Sequence, residues 1–325
     1  MLRFDRLVSG GIITNYNCSS KCGHCVYASS PKWPRDYMDA ETASRIFSFL
    51  RDVGVHCVHI GGGEPLLYPE KLFIVLEEAL KKRIQVEYVE TNSSWFSDET
   101  KGENILKRLQ SLGVGTLLIS IDPFHNEYIP FNKVKGLMEA CRRTGMDVFP
   151  WLMDFWKDLE KLDPAKPHSL EEYEQVFGSG YKVRLAERYR LNMRGRALET
   201  YKAHLKKLPL DRLLAQSAPC RELNGVHHFH IDLYGKFIPQ SCAGLAVDIE
   251  DLKNGTSDSK YELINTLARE GVKGLYSLAS DKYGFEPELE YGGKCHLCYE
   301  IRKYLVRTKG LDTADLKPTG HYAYM

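Results

Sequence analysis

The stretch CSSKCGHC places Cys18, Cys22 and Cys25 together, directly after the apolar run GGIITNYN. Cysteine thiolates hold iron–sulfur clusters, and a four-iron cluster bound by only three of them keeps one iron open for a further ligand. Zinc held by the same three cysteines and His24, or a reduced, metal-free cysteine cluster, is the alternative. A second set comprises Cys220, Cys242, Cys295 and Cys298, the last two as Cys-x-x-Cys. Four thiolates close a site, for zinc or for a second four-iron cluster. Of the nine cysteines this leaves Cys57, in a strand pattern, and Cys141, in a helix pattern. Both read as buried apolar residues. His227, His228 and His230 alternate along a strand pattern and read as structural.

The elements that must position these residues follow a βα rhythm from about residue 10 to about residue 200. Strand patterns are GGIITNYN, VHCVHI, QVEYVET, TLLISID, DVFPWLM and RYRLNM. Between them lie helix patterns: DAETASRIFSFLRDVG opens on Asp39 as a cap, and PEKLFIVLEEALKK starts with Pro69 in its first turn. Two more, DETKGENILKRLQSLG and NKVKGLMEACRRTG, end at Gly113 and Gly145. Six units predict an α/β fold, a partial (β/α)6 TIM-type barrel spanning residues 8–207. Residues 156–182 break the rhythm with Pro164, Pro167 and two glycines, and read as an insertion or lid. From residue 208 to 325 the pattern changes to a hairpin, further helices and GGKCHLCYEIRKYL, which predicts a smaller C-terminal α+β domain.

Three more segments fall at the predicted carboxyl ends of strands, the face where barrel enzymes place their sites. GGGEP, Gly61 to Pro65, permits close backbone approach to a ligand. It lacks the further glycine of a dinucleotide fingerprint and the lysine of a phosphate loop. ETN, Glu90 to Asn92, follows the third strand, and SID, Ser120 to Asp122, the fourth.

The spacing Cys18, Cys22, Cys25 on the loop after a first strand, with GGGEP after the second, resembles the radical S-adenosylmethionine (SAM) superfamily. What the resemblance implies is a [4Fe–4S] cluster on these three cysteines, whose open iron chelates SAM. His24 stands where the family usually has an aromatic residue near the adenine. Gly62, Gly63 and Glu64 then correspond to the segment holding the SAM amino group. Asn92, Ser120 and Asp122 correspond to polar residues at the ribose hydroxyls and methionyl carboxylate. RLNMRGRA resembles the sixth-strand segment, so that Arg194 or Arg196 pairs with the SAM carboxylate. The order of Cys220, Cys242, Cys295 and Cys298 resembles the twitch domain, a shortened relative of the SPASM domain, which implies an auxiliary [4Fe–4S] cluster.

The implied activity is reductive cleavage of SAM to a 5′-deoxyadenosyl radical that abstracts a hydrogen atom from substrate, with an external electron donor such as flavodoxin or ferredoxin. The layout resembles that of short radical SAM enzymes that modify ribosomally made peptides, including epimerases. Those epimerases use an additional cysteine as hydrogen donor. Here QSC offers Cys242 in that part of the chain, so either Cys242 is the donor and the auxiliary cluster has three protein ligands, or the reaction is not epimerisation. Asp154, Trp151 and His125 are substrate-facing candidates. A dehydrogenase or epimerase of a small metabolite is the alternative. An iron–sulfur electron carrier or a zinc-binding interaction protein is an alternative of another class, which needs neither GGGEP nor SID at strand ends.

Composition bounds these readings. The chain has 325 residues, enough for a large domain with an appended smaller one. Lys plus Arg number 44 against 43 for Asp plus Glu, so charge offers no argument for nucleic acid or an anionic membrane as partner. The beginning has no apolar core and cleavage site of a signal peptide, and no run approaches a membrane span. The expectation is a cytoplasmic protein, in whose reducing compartment cysteines serve as metal ligands rather than disulfides.

Overall fold

Five of the apolar stretches form parallel strands: β1 (Ser9–Ile13), β2 (Cys57–Gly61), β3 (Gln85–Thr91), β4 (Thr116–Ser120) and β5 (Asp147–Trp151). They are seen in a computed structural model that describes residues 2, 4, 7–224 and 228–325. Between the strands run α1 (Ala40–Asp52), α2 (Pro69–Lys81), α3 (Glu99–Ser111), α4 (Pro123–Asn126) and α5 (Phe131–Thr144). Local chemistry sets their limits. Asp39 caps α1 by accepting from the Thr42 amide at 2.8 Å, Pro69 opens α2, and Gly145 closes α5 at φ +69°. On α1 the buried Ala43, Ile46, Phe47 and Leu50 recur at helical spacing, which is the stripe a helix needs to cover a sheet.

The expected sixth strand, residues 188–193, does not form: its first two residues end a helix, and the rest is a turn and irregular chain. Residues 181–189 form α8 (Tyr181–Tyr189), which ends at Arg190 in the left-handed conformation at φ +54°. RYRLNM carries no β-branched side chain, while Tyr181, Leu185 and Ala186 bury one helical face just before it. The sixth parallel strand comes from the C-terminal region instead. The later strands are β6 (Leu208–Pro209), β7 (His228–Asp232), β8 (Lys236–Ile238), β9 (Val247–Asp248) and β10 (Glu290–Tyr291). The main sheet has the order β5-β4-β3-β2-β1-β7-β8-β9 and is open, with β7 parallel to β1 and β8 and β9 antiparallel; β6 pairs with β10 apart from it. Gly10 makes the β1–β7 approach possible, since a Cβ there would lie 2.4 Å from the Phe229 ring.

The remaining helices are α6 (Trp156–Leu159), α7 (Leu170–Phe177), α9 (Gly195–Tyr201), α10 (Leu210–Ala215), α11 (Glu262–Tyr283), α12 (Lys294–Arg307) and α13 (Gly320–Ala323). Residues 156–182 carry α6 and α7 and are fastened to α4: the Tyr173 hydroxyl donates to Asn126 Oδ1 at 2.7 Å, and the His168 amide to the Asn126 carbonyl at 3.0 Å. Tyr173 is wholly buried there. The core is continuous from Ile12, Ile60 and Ile119 in the sheet to Phe229, Leu297 and Tyr322 in the C-terminal region. Among the described residues no helix is long and apolar enough to cross a membrane.

Candidate active site

A cavity of about 530 Å³ opens at the carboxyl ends of the strands, and Cys18, Cys22 and Cys25 line it together with Gly62, Gly63, Asn92 and Ser120. The cysteine loop is held from several sides. The Cys18 amide donates to the Ser30 carbonyl at 3.2 Å, and Cys18 Sγ accepts from the Ser20 amide at 3.4 Å and Asn92 Nδ2 at 3.5 Å. The strongest fastening comes from Arg196, which is buried. Its guanidinium donates to the carbonyls of Cys22 at 3.0 Å, Ala28 at 2.6 Å and Ser29 at 2.9 Å, and its amide to the Cys25 carbonyl at 3.0 Å.

GGGEP lies against the start of this loop. Gly62 has φ +150°, and a Cβ on Gly63 would fall 2.1 Å from the Asn17 carbonyl oxygen. Only glycine permits such proximity. The Gly63 amide donates to the Asn15 carbonyl at 2.7 Å and the Glu64 amide to that of Asn17 at 3.2 Å. Glu64 is fully buried and binds the neighbouring strand end: its carboxylate accepts from Thr91 Oγ1 at 2.9 Å, the Leu66 amide at 3.1 Å and the Asn92 amide at 2.6 Å. Burial pushes its carboxyl up to about 7, against the pull of these donors.

The other candidates divide. Ser120 and Asn92 line the cavity, Asn92 also reaching Ser19 Oγ at 3.2 Å. Asp122 is buried outside the cavity lining; it caps α4 through the His125 amide at 3.0 Å and pairs with His125 Nδ1 at 2.8 Å. Burial opposes both charges, but the pairing lowers Asp122 and raises His125, which itself lines the cavity. His24 stacks on Phe124 at 4.7 Å and meets Tyr189 at 4.8 Å, and burial pushes its imidazole down to about 3. Trp151 lines the cavity and donates from Nε1 to the Tyr189 hydroxyl at 3.1 Å, whereas Asp154 is exposed and stands apart from it.

Cys220, Cys242, Cys295 and Cys298 line one second cavity, with Arg194, Lys294 and Arg302 beside them. Arg194, expected near the first three cysteines, is therefore placed elsewhere. Arg194 and Arg196 flank the start of α9, and their side chains serve the two cysteine sets separately; Arg194 donates to the Gln240 carbonyl. Arg190, Leu191 and Asn192 are the residues of this segment that line the first cavity. Sequence reasoning also missed the task of Arg196, whose only signal was a basic residue in a Gly-Arg-Ala segment. Burial pushes the Cys242 thiol up to about 11, with Arg194 and Arg302 opposing.

Compared with known proteins, residues 12–158 match the Radical SAM superfamily. That match spans a little under half of the chain, and over it the chain is similar to radical SAM domains. A curated relative is YydG of Bacillus subtilis (strain 168), whose given name places it in peptide biosynthesis; it is 24% identical over 126 residues, and the match spans 39% of either chain. Among solved structures, native anSMEcpe with bound AdoMet aligns at a TM-score of 0.47 and 15% identity, covering 93% of this chain and 98% of that one. SuiB of Streptococcus suis aligns at 0.37 and 15%, covering 82% of this chain and 71% of that one.

The radical SAM family implies a [4Fe–4S] cluster and SAM, and the residues here fit them. All nine cysteines are free thiols. Amide donors on Cys18 Sγ are the contacts that stabilise a cluster-bound thiolate. At the second set, Arg302 is buried with its Nε lacking any hydrogen-bond partner, an orphaned cationic donor facing thiols that become anionic on binding metal.

Proposed function

We propose that this radical SAM enzyme modifies a ribosomally made peptide by hydrogen-atom abstraction, as an oxidoreductase or isomerase. The observation that carries the reading is the single cavity in which Cys18, Cys22 and Cys25 meet Gly62, Gly63, Asn92 and Ser120 from neighbouring strand ends. The three cysteines hold the cluster, and the chemistry supplied there when cluster and SAM are bound is one-electron cleavage of the sulfonium to methionine and a 5′-deoxyadenosyl radical.

The chain's own residues bind and orient. Arg196 fixes the loop that bears the thiols. Gly62 and Gly63 leave room for the SAM amino end, His24 with Phe124 offers a stacking face for the adenine, and Ser120 and Asn92 supply polar contacts. Arg190 takes the carboxylate-binding role that Arg194 cannot fill from the second cavity. Trp151 and Tyr189 wall the side where substrate enters and limit competing hydrogen donors.

Residues 208–325 act as a twitch-like domain whose Cys220, Cys242, Cys295 and Cys298 hold an auxiliary [4Fe–4S] cluster. Cys242 shares its cavity with the other three, which favours a fourth ligand over a hydrogen donor, and thus a reaction other than epimerisation. Electrons come from an external flavodoxin or ferredoxin. The peptide substrate is supported by the name of the Bacillus subtilis relative.

Anaerobic reconstitution followed by SAM and dithionite tests the core of this. The expected product is 5′-deoxyadenosine, absent from a Cys18→Ala, Cys22→Ala, Cys25→Ala control. No product above that control overturns the reading. A mass change in a co-expressed short peptide supports the substrate class, and one found only in a small metabolite replaces it.

A further inference from the structure

Three histidines left without a task by that chemistry meet on one face of the sheet. His59 lies on β2, His228 and His230 on β7, with β1 between them. Gly11 pairs with His59 on one side and with His230 on the other. Strands two apart are separated by roughly 10 Å, so register alone does not bring such side chains into contact. Yet a ligating atom of each imidazole lies within 4.8 Å of those of the other two. Gly11 permits it: a Cβ there would fall 2.2 Å from His59 Nε2 and 2.8 Å from His230 Cδ2.

Two independent features point to a ligand between the rings. His230 Nδ1 is buried without a hydrogen-bond partner, an arrangement that costs about 1–3 kcal/mol unless something fills it. His59 is 2% exposed and its Nε2 stands 3.5 Å from a Glu90 carboxylate oxygen, an outer contact of the kind that fixes the orientation of a ligating imidazole.

We propose that His59, His228 and His230 hold a divalent transition-metal ion, zinc by its donor set, on the inner face of the sheet, with one position open to the cavity. Three imidazoles plus an open fourth position is a zinc arrangement. Zinc–nitrogen bonds of about 2.0–2.1 Å place the nitrogens roughly 3.4 Å apart, so side-chain rotation closes the remaining gap. His228 and His230 line the cavity that also contains Cys18, Cys22 and Cys25. An oxygen of the substrate, a peptide carbonyl or carboxylate, therefore completes the coordination in the chamber where its hydrogen is removed. That last step rests on the proposed function; the metal site does not.

The test titrates Zn²⁺ into the iron-reconstituted protein and reads bound zinc by elemental analysis and zinc-edge X-ray absorption. The expected result is about one zinc per chain with a nitrogen/oxygen shell near 2.0 Å and no sulfur near 2.3 Å. His59→Gln with His230→Gln weakens binding by at least about 100-fold while iron content and circular dichroism stay unchanged. His228→Gln, at an exposed position, gives the same loss if the double variant does not fold. Absence of bound zinc, sulfur in its shell, or unchanged affinity in His228→Gln overturns the site. None of these readouts depends on SAM cleavage, so failure here is separable from failure of the radical reading.

Discussion

Arg196 donates to the carbonyl oxygen of Cys22 at 3.0 Å across 174 residues of sequence, and so ties the start of α9 to the loop bearing the first three thiols. Removing the guanidinium leaves the Cys22, Ala28 and Ser29 carbonyls without this donor in a buried place. Arg196→Ala is expected to cost about 3 kcal/mol, and Arg196→Lys less, because an ammonium cannot span all three acceptors. Denaturant unfolding checks the stability. Iron retained after anaerobic reconstitution checks the consequence for the thiol loop, and should fall in the order wild type, Lys, Ala.

Glu64 joins GGGEP to the end of β3 by accepting the Asn92 amide at 2.6 Å, and Asn92 in turn touches Cys18 Sγ. Glu64→Gln turns one acceptor oxygen into a donor facing Thr91 or Asn92. The expected loss is about 1–3 kcal/mol, with weaker SAM binding because the glycine segment loses its anchor. Equilibrium dialysis with labelled SAM, beside a thermal melt, separates the two effects. Undiminished stability would refute the anchoring role.

The two cysteine sets make a metal-content prediction. Wild type should carry about eight irons per chain after reconstitution, the Cys18→Ala, Cys22→Ala, Cys25→Ala variant about four, and the Cys220→Ala, Cys242→Ala, Cys295→Ala, Cys298→Ala variant about four. Four irons and one sulfur-ligated zinc in wild type would reassign the second set as a zinc site. Chelation that strips the second set should destabilise α11 and α12 more than the sheet, since Cys295 and Cys298 lie on α12, which packs on α11.

Much of this arrangement was legible in the sequence, for physical reasons that differ by element. The five parallel strands are β-branched runs bounded by caps at Asp39 and Asp98 and by a left-handed Gly145, so local chemistry sufficed. RYRLNM has no β-branched side chain, and the helical face of Tyr181, Leu185 and Ala186 just before it carries α8 into its first residues. The β1–β7 pairing was not readable, since nothing local tells HHFHID that Gly10 offers a place for Phe229. Arg194 and Arg196 could not be assigned without the orientation of α9, which sends Arg194 to the second cavity and buries Arg196 against the backbone of the first cysteine loop. Asp122 looked like a ligand contact, but a helix cap uses the same residue type at the same strand end.

Asp232 gives a pH signature for the join between β1 and the C-terminal region. Its carboxylate is fully buried, accepting from the Tyr16 hydroxyl at 2.9 Å and from the amides of Tyr234 and Lys236 at 3.0 Å each. Burial outweighs these donors and pushes the group up to about 6. Between about pH 4 and pH 6 the folded protein therefore keeps a proton that the unfolded chain has released, so unfolding is favoured as pH rises. The contribution is fully present below about pH 4, is lost through that window, and is flat above it. Asp232→Asn has no such proton to lose while its side-chain oxygen still serves the two amides. Relative to that variant, wild type should lose roughly 3 kcal/mol across the window. Denaturant unfolding of both proteins at matched pH and metal content checks it: any acid loss of metal is common to the two, and a difference that stays constant from pH 4 to 7 would mean that Asp232 is ionised throughout.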